Sequence, residues 1–252
     1  MSPAFTAFLI MISSCTSLVL TLWLRPRLPA HHEEAETRDL IKTATGMLAT
    51  LVALILGLLV SSAKGTFDTA SSELTQSGAH IINLNRTLVD YGPEAQPVRA
   101  LLQSNLASVI DRIWPEPQSK TVRFAKDDAS ATRAVAEAIR QLQPQDDTQK
   151  LLKTKAESQL NALADGRWLL FEQMENPLPP MLLLVLGFWL FLLFMGLGLL
   201  APRNATSVLA LLTCILSMSA AVFLILELNH PLDGLIKVSS GPLRAALVVV
   251  SR

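Results

Sequence analysis

Four stretches of the chain, 4–24, 43–63, 178–201 and 205–228, are long and apolar enough to cross a bilayer core as helices, which takes roughly 20 residues each. Only Glu227, near the end of the last, carries a charge within them. Backbone groups in lipid must be satisfied inside their own element, so a chain with four such stretches has to place them as helices. The sequence therefore predicts an all-α membrane protein. The first stretch reads as a retained helix rather than a cleaved signal: Met-Ser-Pro-Ala-Phe lacks a basic start, and the apolar run exceeds the usual ~7–15 residues. Cys15 and Cys214 both fall in apolar stretches, which argues against a disulfide framework. No basic tract alternates with aromatic residues, so nucleic acid is not an expected partner.

Between the second and third spans lie 114 residues, 64–177, with 13 Lys/Arg and 15 Asp/Glu. This block is close to neutral and well solvated, and its apolar residues keep a helical period. Phe67, Ala70, Leu74, Ser77, Ile81, Leu84, Leu88 and Tyr91 recur every three or four residues as a heptad seam. No proline separates that seam from the second span. One continuous helix is expected over about 40–91, some ~75 Å at ~1.5 Å per residue, ending at Gly92-Pro93. Further helices are expected at 94–113, with Val98, Leu102, Leu106, Val109 and Ile113 on one face, and at 129–143 and 146–174. Short loops between them imply an antiparallel bundle. The layout is then 1–63, two spans joined by a short charged loop; 64–177, an extramembrane bundle; 178–228, two more spans; and 229–252, a C-terminal segment. In that segment Leu232, Leu235, Ile236 and Val238 could lie on the membrane surface or on the bundle. Arg25, Arg27, Arg38, Lys42 and Arg203 in the short loops place those loops in the cytoplasm and the bundle outside.

On the second span Thr43, Gly46, Thr50, Ala53, Gly57, Ser61, Lys64 and Asp68 form one stripe of small and polar residues at spacings of three and four. Small residues let helices approach closely in lipid, which reads as a packing seam. They also leave room for ions, with a charged pair at the exit, which reads as a pore lining. The fourth span carries a similar face: Ala210, Thr213, Ser217, Ala220, Leu224 and Glu227. Glu227 is either a residue reaching the interface or one with a partner or a function, and Lys237 and Arg244 are candidates to neutralise it or Asp233. Arg203 reads as an interfacial anchor. In the loop "LPAHHEEAETRD", His31, His32, Glu36 and Asp39 invite three readings. Acids at a helix start complement its dipole, with Pro29 placed to open the helix. The cluster could instead sense pH or ions at a pore mouth. A divalent-metal site is the third reading, and neither CxxC nor HExxH accompanies it. No nucleophile–base pair or phosphate loop points to an enzyme, and no cofactor is expected.

The blocks "HHEEAETRD", "LVALILGLLVSSAKGTFD", "DYGPEA", "MGLGLLAPRN" and "FLILELNHPLDGLIKVSSGPLR" lie in order along nearly the whole chain. Together they resemble the bestrophin-like family of bacterial membrane proteins. Bestrophins proper are pentameric anion channels whose second span lines a narrow neck prolonged by extramembrane helices. The resemblance implies a homo-oligomeric ion channel in the bacterial inner membrane, anion-conducting and lined by the second span. Its partners would be lipid, inorganic ions and further copies of itself, and its bundle would be cytoplasmic. Bestrophin calcium gating uses an acidic run that has no counterpart after Glu227. Four spans are too few for the inverted repeats of familiar transporters, so a central pore needs copies around an axis, in a tetramer or a pentamer. The competing reading is a non-conducting membrane module whose bundle docks a partner.

Overall fold

The computed structural model describes residues 2–24, 27, 35–115, 129–175, 180–202, 204–232 and 234–251. Among the described residues eight α-helices follow one another: α1 (Pro3–Leu24), α2 (Ala35–Tyr91), α3 (Gln96–Ile113), α4 (Ala129–Gln141), α5 (Asp147–Glu175), α6 (Pro180–Leu200), α7 (Ala205–Leu228) and α8 (Gly241–Val250). No strand occurs among the described residues. The expected long helix is present as a single element of 57 residues. It begins five residues earlier than its apolar pattern, because polar and acidic residues such as Glu36 suit a first turn. The chain divides into two compact units, Met1–Thr66 with Pro177–Asn229 and Phe67–Asn176 with His230–Arg252, and α2 contributes to both.

In the first unit, among the described residues, α1, α6, α7 and the first part of α2 are the four helices long and apolar enough to cross a membrane. Their shared core contains Ile10, Leu18, Val52, Leu59, Ala63, Leu190, Phe194, Ile215 and Val222. Hydrophobic burial does not drive helices together in lipid, so close backbone approach has to. A Cβ at Gly198 would sit 3.1 Å from Thr21 Cγ2, and one at Gly196 would collide with Thr45 Oγ1. The Ser17 hydroxyl donates across the α1–α6 contact to the Phe191 carbonyl at 2.5 Å. The Asn204 side chain accepts from the Ser207 amide at 2.8 Å and opens α7, satisfying a donor that the first turn would otherwise leave bare.

The second unit is a helical bundle. Ala70, Leu74, Ile81, Leu84, Leu88 and Tyr91 of the expected seam are all buried, with Phe67 and Ser77 half-buried. They meet Val98, Leu102, Leu106, Ile110 and Ile113 of α3 and, further along, Val135, Ile139, Ala156 and Leu160 of α4 and α5. Where the sequence suggested Val109 on the buried face of α3, Ile110 is the buried residue and Val109 is half-buried beside it. The C-terminal segment, set apart in the sequence as 229–252, joins this core: Leu232, Val238, Leu243, Ala246 and Val250 are buried in it, while Leu235 and Ile236 remain exposed. The Trp114 indole N–H donates to the Val238 carbonyl at 2.9 Å and fixes the segment to the end of α3. Where α4 ends, Lys153 Nζ donates to the carbonyls of Arg140 and Leu142, a cation at the negative end of a helix.

Gly92 ends α2 with φ 122° and ψ −176°, a region open essentially to glycine alone. Gln149 Nε2 donates to the Tyr91 carbonyl at 3.0 Å just before it. Gly92→Ala is expected to destabilise the bundle by about 1–3 kcal/mol, read as a lower melting temperature of the purified chain.

Candidate functional site: an open stripe on the second helix

Within its unit α2 presents three different faces. Thr45, Val52, Leu59 and Ala63 are buried against the other helices. Thr43, Gly46, Thr50, Ala53, Gly57, Ser61, Lys64 and Asp68 are all exposed. At ~100° per residue the stripe lies ~140° round the helix from the buried face. A third face, Met47, Leu51, Leu54 and Leu58, is exposed and wholly apolar. A Cβ placed at Gly46 or Gly57 meets nothing within 4 Å. Among the described residues, the two glycines of this stripe therefore do not serve close contacts. That task falls to Thr45 and Ala63 on α2, and to Gly196 and Gly198 on α6.

The stripe's polar content is oriented by the helix itself. Thr43 Oγ1 donates to the Asp39 carbonyl at 2.9 Å and Thr50 Oγ1 to the Met47 carbonyl at 2.7 Å. With those hydrogens engaged, the hydroxyl oxygens offer lone pairs outward, and each can donate outward only after rotating. From Thr43 to Ser61 the stripe runs ~27 Å at ~1.5 Å per residue, close to the ~30 Å of a hydrocarbon core. Lys64 and Asp68 follow at one end, and Glu36 and Asp39, both exposed in the first turns of α2, lie at the other. His31, His32 and Arg203 lie outside the described residues, as does Asp233. Among the described residues no three His, Cys, Asp or Glu side chains gather as metal ligands would.

On α7 the expected face is also exposed at Ala210, Thr213, Ser217, Ala220 and Leu224, but Glu227 is buried at 5% exposure. It is thus not a side chain reaching out to an interface within this unit. Lys237 Nζ is directed at the Ile113 carbonyl, 3.5 Å away, and Arg244 Nε at Ser240 Oγ, 3.1 Å away.

A bestrophin-like domain matches residues 13–243. The chain belongs to the bestrophin-like family. Its fold agrees with crystal structures of a bacterial bestrophin homologue from Klebsiella pneumoniae. One point variant of that protein superposes with a TM-score of 0.67 at 15% identity, covering 98% of each chain. A second gives 0.68 at 13% identity, covering 99% of this chain and 98% of that one. Identity this low establishes a shared fold for the two bestrophin-like chains and nothing finer. A search of curated proteins found no match.

Proposed function

We propose that this bestrophin-like chain is an ion channel of the bacterial inner membrane, built from several copies around an axis that the stripe of α2 lines. The observation that carries this reading is the stripe itself: small and polar along the depth of a bilayer core, and turned away from the chain's own helices. Lipid would leave the outward lone pairs of these hydroxyls without donors, whereas a water-filled axis suits them. The neighbouring apolar face of Met47, Leu51, Leu54 and Leu58 then meets lipid or the adjacent copy. Thr43, Thr50 and Ser61 touch partly hydrated ions, and Gly46 and Gly57 set the width. The family resemblance favours anions. For an anion the two threonine hydroxyls must rotate outward to donate, so selectivity falls mainly to the charges at the ends. Glu36 and Asp39 stand at one mouth, and Lys64 and Asp68 bias entry at the other.

The test is ion flux through the purified chain in liposomes, with anion and cation gradients imposed separately. A selective flux supports the channel. Lys64→Gln and Asp68→Asn are expected to shift the anion-to-cation permeability ratio in opposite directions, lower and higher respectively, by roughly two- to tenfold at low salt. Silence under every gradient, pH and divalent condition would instead favour a non-conducting module whose bundle docks a partner.

A further inference from the structure

The four apolar side chains that follow the last span are divided by the fold. The Gly234 amide donates to the His230 carbonyl and the Val238 amide to the Pro231 carbonyl, each at 2.9 Å, so the chain closes into a compact loop. At the base of that loop Leu232 and Val238 are buried in the bundle core. Between them in sequence, Leu235 is 82% exposed and Ile236 40%. Leu235 is the most exposed large apolar side chain among the described residues. The base is held from several sides: the Trp114 indole donates to the Val238 carbonyl, and Lys237 Nζ is directed at the Ile113 carbonyl. The loop therefore presents its apolar tip in a fixed conformation, and little ordering entropy remains to be lost on contact.

We propose that Leu235 and Ile236 insert into the interfacial layer of the lipid bilayer. The chain itself limits how far the tip can stand from the membrane. His230 is two residues past Leu228, the last residue of α7, and Gly234 is bonded back to it. Standard backbone lengths then keep Leu235 within roughly 18 Å of the end of the span. The headgroup layer outside the hydrocarbon is itself roughly 5–8 Å deep, so the tip can reach it. Area argues for lipid over a second copy of the chain, because two side chains fall far short of the roughly 800 Å² per partner of a stable protein contact. Two apolar residues alone bind a membrane weakly. Tethered to a helix already in the bilayer, they make that contact within one molecule, at high effective concentration. The contact is independent of whether the chain conducts ions.

The experiment uses the full chain in vesicles of phosphatidylethanolamine and phosphatidylglycerol, with a photoreactive side chain at the tip. Leu235→p-benzoylphenylalanine and Ile236→p-benzoylphenylalanine are compared with the same substitution at Leu151 on α5. Leu151 is 73% exposed and apolar, and it lies 24 residues, or ~36 Å along the helix, before the end of α5 that leads to α6. After illumination, mass spectrometry is expected to find phospholipid adducts at 235 and 236 in at least about fivefold the yield at 151. Position 236 decides the matter if the probe at 235 yields no monodisperse chain. Lipid adducts no more abundant at the tip than at 151 overturn the proposal, since the tip then faces water. Cross-linking of the tip to a second copy, seen as a dimer on a denaturing gel, overturns it as well and assigns the loop to a contact between copies.

Discussion

Replacing Gly57 by leucine is expected to reduce ion flux in liposomes at least about tenfold while leaving the fold intact, the behaviour of an apolar constriction added to a pore. The fold survives because a Cβ at Gly57 meets nothing within 4 Å, and because leucine is the better helix former by roughly 0.5–1 kcal/mol. The melting temperature should therefore hold or rise. Flux falls because an isobutyl group from every copy would enter the axis at the same depth. Gly57→Ala, adding one methyl per copy, should keep a substantial share of the flux. The discriminating result is the pair of readouts. If the stripe is a seam between copies, Gly57→Leu disrupts the oligomer, visible by size-exclusion chromatography with light scattering. Should the oligomer and the flux both persist unchanged, the stripe is neither pore nor seam, and the assignment of α2 to the axis is wrong.

The long helix and the bundle were legible because their signals are local and repeated. The seam from Phe67 to Tyr91 keeps its period across the end of the apolar span, and nothing short of Gly92 interrupts it. Termini were less legible: α4 stops at Gln141, two residues short of the 129–143 expected from the sequence. The Lys153 ammonium on the last carbonyls of that helix is a tertiary contact with no local signature. The identity of the stripe was readable and its direction was not. Gly46 and Gly57 look the same in sequence as Gly196 and Gly198, yet the first pair faces open space and the second pair faces threonines. Which small residues close a contact depends on the partner helix, and a period of 3.6 says nothing about where that partner stands.

The contrast between glycines yields the second large effect: Gly196→Leu is expected to destabilise the membrane unit by more than about 3 kcal/mol, the upper end of overpacking costs. A Cβ alone at this position would run into Thr45 Oγ1 and lie 3.4 Å from both Thr45 Cβ and Cγ2. Thr45 is itself buried on the packed face of α2. Gly196→Ala need displace only the threonine hydroxyl, which can turn to another rotamer, so it should cost no more than about 1 kcal/mol. Leucine adds three further carbons, and they can be housed only by moving α6 away from α2. Because small-residue contacts and short hydrogen bonds hold these helices together in lipid, that movement also strains the Ser17 to Phe191 bond beside it. The measurement is thermal unfolding in detergent, paired with hydrogen exchange at the amides around Thr45. Loss of a folded, monodisperse species for Gly196→Leu, against near-normal Gly196→Ala and Gly57→Leu, would place the closed face of α2 on α6 and its open face elsewhere. Equal tolerance of leucine at positions 57 and 196 would refute that division of the helix.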